Sequence, residues 1–221
     1  MSDPRFQPKK KQEDDEAWMT TFADMVTLLL AFFIMLAAIS KVDVVLYEQV
    51  KAGMAQGIGK REVTTPVQML KREMEETVKA LQIDDVVAVG TDAQGVTIEF
   101  ASSAFYEPGS AEIREEAIPI LNRIGATINS DRYTGFLVEV QGHTDDVPIS
   151  TPTFPSNWEL SSARASRVVR FFESIEIESA RMKAIGYADT APKVPNRDAY
   201  GEPLPQNQEI NRRVVVRLNP R

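Results

Sequence analysis

The chain has no cysteine and only one histidine, His143. Without cysteine it can form neither a disulfide framework nor a thiolate metal site. A single imidazole also argues against a histidine metal cluster and against a catalytic triad. We therefore expect His143 to be a structural hydrogen-bonding residue rather than a catalyst.

Positive charge is scarce and unevenly placed. The 221 residues include 25 Lys and Arg against 32 Asp and Glu, and the basic cluster Lys9, Lys10 and Lys11 is confined to the start. Nucleic-acid binding relies on a basic patch that neutralises phosphates. The charge distribution therefore argues against nucleic acid as a partner.

One long apolar stretch, WMTTFADMVTLLLAFFIMLAAI, begins at Trp18. About twenty such residues in a helix cross a ~30 Å hydrocarbon core, so the stretch predicts a transmembrane helix over residues 18–40 after a polar tail over 1–17. The Lys9–Lys11 cluster predicts a cytoplasmic N-terminus and leaves the rest of the chain outside the inner membrane. A cleaved signal peptide is the alternative, but the apolar run exceeds the usual length and contains an acid.

That acid, Asp24, is the only ionisable side chain within the apolar stretch. A carboxylate in this position costs on the order of 2–3 kcal/mol, which favours a functional role and a membrane partner that covers it. Thr20 and Thr27 share its helix face at a spacing of four and three residues, and Thr21 is close by. The alternative is a plain anchor that tolerates an acid near the membrane interface.

Residues 41–64 follow the span and predict a short amphipathic helix and a linker. Apolar residues recur every four positions, with one aromatic residue beside them. Such a stripe also suits core packing or an interfacial helix, so the pattern alone leaves its role open. The stripe consists of Leu46, Tyr47, Val50, Met54 and Ile58.

Residues 65–221 predict an α+β domain with one mixed sheet and helices on one face. A capping box, Thr65 to Gln68, opens a helix that runs to about residue 81. Alternating apolar residues predict strands, and longer periodic segments predict helices. The expected strands cover 86–89, 96–100, 136–141, 182–187 and 212–218, and the expected helices cover 111–129 and 158–174, with a long loop over 189–208.

Within this domain, Asp145 follows a predicted strand and Arg164 lies on the following helix. A carboxylate and a guanidinium that meet near the helix start suit a ligand with both an amine and a carboxylate. The alternative is an internal ion pair without a ligand. Other acids, Glu99, Glu107 and Glu139, show no acid–base arrangement of a hydrolase, so we expect no enzyme.

Two sets of motifs resemble known families. GHTDD, SNWELSSARASRVVRFF and NRRVVVRL resemble the OmpA-like peptidoglycan-binding domain, and TFADMVTLLLAFF with its single acid resembles the B subunit of flagellar stators, the MotB/PomB family. Together, and in this order, they cover nearly the whole chain. The resemblance therefore implies a single-pass inner-membrane protein with a periplasmic OmpA-like domain.

The resemblance also implies roles for individual residues. Asp24 would carry the coupling ion, with Thr20, Thr21 and Thr27 nearby. Asp145 and Arg164 would recognise the diaminopimelate of the peptidoglycan stem. Four more residues fall on motif positions of that site, namely Thr144, Asn157, Leu160 and Arg213, and the segment 44–58 corresponds to the family's plug.

At the level of the assembly, the resemblance implies two B chains, as a homodimer, inside five four-span A subunits of the MotA/PomA type. The complex would turn ion flow into torque on a flagellar rotor and would need no cofactor besides the transported cation. TFAD and the leucine-rich run resemble sodium-type members more than proton-type members. Two alternatives remain, a plain cell-wall tether and a stator-like unit that powers a non-flagellar process.

Overall fold

The computed structural model describes residues 14–39, 50 and 65–221, which belong to two compact units. The first unit contains helix α1, Asp14–Ile39. Among the described helices, only α1 is long and apolar enough to cross a bilayer, over Trp18–Ala38 with a mean hydropathy of 2.1. The helix begins four residues before the predicted span, so the end of the predicted tail is helical.

The predicted plug falls almost entirely outside the described residues. Val50 is the exception, and it is helical and half exposed. Leu46, Tyr47, Met54 and Ile58 lie outside the described part of the chain. The plug therefore stays a prediction.

The second unit alternates helices and strands. Over residues 65–221 it contains a short helix, Ser102–Phe105, and three 3-10 turns at Glu115–Ala117, Asp131–Tyr133 and Ser179–Arg181. In chain order the elements are α2 (Pro66–Leu81), β1 (Val87–Asp92), β2 (Gly95–Ala101), α3 (Ser102–Phe105), α4 (Ile118–Ile128), β3 (Phe136–Gly142), α5 (Asn157–Ser174), β4 (Met182–Gly186), α6 (Pro205–Asn211) and β5 (Arg213–Pro220).

The five strands form one mixed sheet in the order β1-β2-β5-β3-β4. All neighbouring pairs are antiparallel except β3 and β4, which are parallel. The final strand, β5, therefore lies in the middle and joins the hairpin β1-β2 to the pair β3-β4. This arrangement confirms the predicted α+β class with a mixed sheet.

The core lies on one face of this sheet. Strand residues alternate between faces, and the buried set includes Val96, Ile98 and Phe100 of β2. Helices α2, α4 and α5 cover that face with their own apolar stripes, which confirms the prediction of helices on one side. Their fully buried contributions include Leu70, Met74, Leu121, Ile124, Ile128, Val168 and Phe172.

The predicted capping box at the start of α2 is present. The Thr65 hydroxyl accepts from the Gln68 amide at 3.3 Å, and the Gln68 side chain accepts from the Thr65 amide at the same distance. Two amide donors that the first helical turn leaves without partners are thereby satisfied. The sequence alone predicts this capping box because Thr65 and Gln68 lie within four residues of the chain.

Prolines explain two differences from the predicted elements. The helix predicted over 111–129 begins only at Ile118, because Pro119 occupies its first turn, where a missing N–H costs nothing. Pro205 likewise opens α6 inside the segment predicted as a long loop. A third difference is α3, which lies where the sequence predicted no helix and which has no side-chain cap hydrogen bond that would indicate its start.

A close contact between β3 and α5 positions the candidate site. A Cβ atom at Gly142 would lie 2.1 Å from the carbonyl oxygen of Ser161, so only glycine lets the strand approach the helix this closely. The Ser161 hydroxyl, itself buried, accepts from the Ala188 amide at 3.1 Å and donates to the Trp158 carbonyl. The end of β3 and the residues after β4 are therefore held against the first turns of α5.

Candidate functional site

Five of the six predicted peptidoglycan-binding residues line one cavity of about 510 Å³, here called the first cavity. The loop after β3 forms one wall, α5 a second wall, and the segment after α3 a third. The predicted residues in its lining are Thr144, Asp145, Asn157, Leu160 and Arg164. Residues of two predicted motifs thus converge on one site.

Asp145 presents a fixed carboxylate to the first cavity. Its side chain is 10% exposed, and one oxygen, Oδ2, accepts from Arg212 Nη1 at 2.5 Å. The other oxygen, Oδ1, accepts from the Val147 amide at 3.2 Å. A carboxylate has about four acceptor positions, so both oxygens retain capacity for a ligand's donor.

Thr144 and Asn157 hold the backbone around this carboxylate. The Thr144 hydroxyl donates to the Asp145 carbonyl at 2.9 Å. The Asn157 amide group donates to the carbonyls of Asp145 and Val147, at 3.3 and 3.0 Å. Both residues satisfy loop carbonyls, and they therefore fix the direction of the Asp145 side chain.

Arg164 is almost fully buried on the opposite wall. Its guanidinium lies 5.0 Å from the centre of the Tyr106 ring, and Nε donates to the Ser110 carbonyl at 2.8 Å. Nη2 donates to the Glu107 carbonyl at 3.5 Å. Among the described residues only these two carbonyls accept from its five N–H groups, so donors remain for a ligand.

Burial shifts the pKa values of Tyr106 and Arg164 but leaves the charge of both side chains at neutral pH unchanged. It raises the pKa of Tyr106 far above the ordinary value, although the Arg164 charge opposes the shift. Burial also lowers the pKa of Arg164, which remains protonated because arginine starts so high. The first cavity therefore offers a neutral phenol beside a permanent cation at neutral pH.

Asp145 and Arg164 line the same cavity without forming the internal ion pair that the sequence left open as the alternative. The described residues contain no ion pair between them, and the partner of Asp145 is Arg212. Arg164 lies seven residues into α5, so about 10 Å along the helix axis from its start, where Asp145 is held. The two charges face a shared space instead of neutralising each other.

The structure also places Arg213 outside the first cavity. It lines a different one, of about 420 Å³, on the sheet face opposite the helices. Neighbouring residues at a strand start point to opposite sides, so Arg212 reaches Asp145 while Arg213 does not. The motif NRR pointed to Arg213, whereas its neighbour Arg212 lines the first cavity. Tyr106 also lines this cavity, and no sequence pattern indicates it.

His143 lies on that opposite face and is buried against Tyr187, with ring centroids 5.1 Å apart and nearly parallel planes. Burial, together with the charges of Arg213 and Arg217, lowers its pKa to about 4. The imidazole is therefore neutral at pH 7 and contributes to packing. The role is structural, as predicted, but it depends on ring packing, because neither ring nitrogen has a hydrogen-bond partner among the described residues.

Acid should therefore destabilise the domain through His143. The unfolded chain binds a proton near pH 6.5 and the folded domain only near pH 4. Stability present at pH 7 is lost as the pH falls through this window, by ~3 kcal/mol for this residue. Urea unfolding of residues 65–221 at pH 7 and pH 4 should show a smaller loss for His143→Phe than for wild type. An equal loss would contradict the assignment.

In the first unit, the threonines around Asp24 satisfy their hydroxyls within the helix. Thr27 Oγ1 donates to the Asp24 carbonyl at 2.8 Å, and Thr21 Oγ1 donates to the Trp18 carbonyl at 2.9 Å. This is the usual solution for hydroxyls in hydrocarbon. The helix places Thr20, Asp24 and Thr27 on one face, as predicted, and the side chains from Trp18 to Ala38 are exposed.

Comparisons with known proteins identify both halves of the chain. Residues 5–58 match the family described as "Membrane MotB of proton-channel complex MotA/MotB". Residues 105–203 match the OmpA family. The two matches fall on the two regions that the sequence motifs single out, and in the same order.

Individual relatives agree with this division. Motility protein B of Bacillus subtilis is 28% identical over 96% of this chain and 95% of its own. A MotB-like protein from Desulfovibrio vulgaris superposes with a TM-score of 0.62 at 28% identity, over 70% of this chain and 94% of that one. The cell wall anchor of the type VI secretion system from Pseudomonas aeruginosa superposes at 0.57 with 30% identity, over 69% and 97%. The chain belongs to the MotB family and contains an OmpA-family domain.

Proposed function

We propose that this protein is the B subunit of an ion-driven flagellar stator. In this role Asp24 carries the coupling cation, and the OmpA-family domain fixes the complex to peptidoglycan. The observation that supports the proposal most is the combination in one chain of a span with a lone carboxylate and a domain whose cavity has separated opposite charges.

The first cavity suits an amino acid that is both cation and anion. Asp145 can accept from a ligand ammonium, and Arg164 can hold a carboxylate with its remaining N–H groups. Leu160, with 5% of its surface exposed, supplies an apolar contact for the carbon chain between them. Diaminopimelate of the peptidoglycan stem has this combination, and the separation of the two charges favours a long ligand over a simple ion.

The span supports the ion-carrying part of the proposal. A single helix leaves Asp24 exposed, so a second membrane protein is needed to enclose it. We propose four-span A subunits of the MotA/PomA type for this role, five of them around two B chains. The Lys9–Lys11 cluster orients the chain with a cytoplasmic N-terminus and a periplasmic domain.

Enzymatic activity is not part of the proposal. The three glutamates considered from the sequence each form an ion pair, Glu99 with Lys193, Glu107 with Arg114 and Glu139 with Arg217. Acid–base catalysis needs a carboxyl group that faces a substrate and exchanges protons with it. These carboxylates neutralise neighbouring cations instead.

We propose that the coupling ion is sodium. The dependence of membrane current and swimming speed on this ion tests the proposal directly. Co-expressed with its A subunit, the protein should give a membrane current and a swimming speed that both rise with external sodium at fixed pH. A sodium-channel blocker should lower the speed. A speed that ignores sodium and follows the proton gradient would reverse the choice of ion, in keeping with the proton channel named for the matched family. No current with either ion would contradict the stator role.

Residues 44–58 are proposed to plug the ion path before the wall is engaged. Deleting them while co-expressing the A subunit should raise ion influx and slow growth, because the apolar stripe would no longer cover the path. A matched control deletes the same segment in an Asp24→Asn background, where growth should be normal. Normal growth and no added leak in the Asp24 background would make the segment a connector only.

A cell-wall tether is the second candidate function, and the structural likeness to the type VI secretion anchor favours it. A tether needs the first cavity but has no use for Asp24 within the span. A stator-like unit that drives a non-flagellar process would need both. An ion current would distinguish the two stator functions from the tether, which conducts no ion. Loss of swimming on deletion of the protein would distinguish the flagellar stator from the non-flagellar unit.

A further inference from the structure

The first cavity has a further side, formed by the end of helix α6. Gln208 and Arg212 both line the cavity, and the Arg212 amide donates to the Gln208 carbonyl at 3.1 Å. Residues four apart share one face of a helical turn, so a single face of α6 borders the cavity. The shape of the first cavity therefore depends on how α6 is held.

Two consecutive acids after β3 hold this face of α6. Asp145 accepts from Arg212, and Asp146 Oδ1 accepts from Gln208 Nε2 at 2.8 Å. Asp146 is not among the residues that line the first cavity. It can therefore affect a ligand there only through the residues that it holds.

Asp146 also holds the segment that leads into α6, here called the strap and comprising residues 189–204. Its second oxygen, Oδ2, accepts from Arg197 Nε at 2.5 Å. Arg197 Nη1 in turn donates to the Gly201 carbonyl at 3.1 Å, within the strap. One carboxylate thus joins the strap and α6 to the end of β3.

The base of the strap is fixed independently by Asn211, which is fully buried. Its Oδ1 accepts from the amides of Lys193 and Val194 at 2.8 and 3.1 Å. Its Nδ2 donates to the Val194 carbonyl and to Asn196 Oδ1 at 2.7 and 2.8 Å. Loss of the Asp146 contacts should therefore release the strap and the α6 face locally, while the base of the strap stays attached.

We infer that Asp146 is a positioning residue for peptidoglycan binding, which keeps the α6 side of the first cavity in place before a ligand arrives. The inference rests on the proposed function, because a preformed cavity matters only if the domain binds the peptide stem there. A ligand that binds only the ordered form loses affinity in proportion to the fraction of free protein that has this form. Asp146 thus differs in role from Asp145, which itself lines the cavity.

The test measures calorimetrically how a tetrapeptide containing diaminopimelate binds to the full-length protein in detergent micelles. Asp146→Ala removes both contacts and should weaken binding about tenfold, which corresponds to an ordered α6 side in about a tenth of the free molecules. Arg197→Ala removes only a half-exposed ion pair and should weaken binding about threefold. The double variant should lose no more affinity than Asp146→Ala, because both changes break the same link.

Asp189→Ala is the matched control, because Asp189 is an exposed acid of the strap that does not line the first cavity. It should bind the tetrapeptide as wild type does. Thermal unfolding checks that each variant is folded. Arg197→Ala changes only a surface side chain, so it provides the test if Asp146→Ala does not fold.

Amide hydrogen exchange distinguishes positioning from a general effect on stability. In the wild type, residues 205–212 should be equally protected with and without the tetrapeptide. In Asp146→Ala they should exchange rapidly in the free protein and become protected when the tetrapeptide binds. The strands of the sheet should keep their wild-type protection in both states.

Wild-type affinity of a folded Asp146→Ala protein would overturn the inference and leave stem binding intact. Faster exchange throughout the domain in this variant would also overturn it, because Asp146 would then stabilise the fold as a whole. If the wild type does not bind the tetrapeptide, the proposed peptidoglycan binding fails, and the inference fails with it.

Discussion

Asp24→Asn is expected to abolish ion flow and rotation while leaving membrane insertion, subunit assembly and wall binding unchanged. Asparagine keeps the size and hydrogen-bonding capacity of the side chain but cannot alternate between a bare and a cation-neutralised carboxylate. That alternation gives the span two states with different preferences for its surroundings, which a coupled motor requires. Swimming speed and cation current in cells with the A subunit measure the effect, and we expect both to be zero.

Two further experiments test the same role of Asp24. Expressed beside the wild type, Asp24→Asn should impair motility, because inactive complexes occupy motor positions. Asp24→Glu should retain partial function at best, since the longer arm displaces the carboxylate from a site set by the helix face of Thr20 and Thr27. Co-purification with the A subunit serves as the control for assembly. Normal motility of Asp24→Asn would contradict the ion-carrying role and favour the tether function.

Arg164→Ala should abolish sedimentation of the protein with purified peptidoglycan. The guanidinium is buried, rests on the Tyr106 ring and is aimed by the Ser110 carbonyl. Losing a charge-assisted bidentate contact to a ligand carboxylate costs a few kcal/mol, or about a hundredfold in affinity. Arg164→Lys should recover little of this, because an ammonium group lacks the planar fork.

Arg170→Ala provides the matched control, as Arg170 is exposed on the same helix and outside the first cavity. It should sediment like wild type. Asp145→Asn should weaken binding as well, because it removes the negative charge that attracts the ligand ammonium. Thermal unfolding must show a folded domain for each variant. Undiminished sedimentation of a folded Arg164→Ala protein would refute the assigned site.

The sequence predicted those features whose physical cause is local or periodic. The alternation of Phe136, Val138 and Val140 predicted a strand with one buried face, and the Thr65 capping box predicted where α2 begins. Convergence of the GHTDD and SNWELSSARAS motifs on one site was also predicted, because strand end and helix start are adjacent in such a domain. Each of these depends on residues close in sequence or on a regular spacing.

Long-range contacts limited the prediction of the site. Whether Arg212 or Arg213 faces Asp145 depends on which residue begins β5, and a shift of one position exchanges the two sides of a strand. Tyr106 supports Arg164 across 58 residues through packing and a 3.1 Å hydrogen bond to its carbonyl, and no spacing rule reveals that pair. The candidate site therefore contains two residues, Arg212 and Tyr106, that the motifs did not indicate.

The position of β5 in the sheet constrains how the domain over residues 65–221 folds. This strand follows the other four in chain order, yet it forms both interior antiparallel pairings with β2 and β3. Until it emerges, the nascent chain holds only an isolated hairpin and a separate parallel pair, neither of which encloses the core. We therefore expect the core of this domain to close only after its last strand has been made.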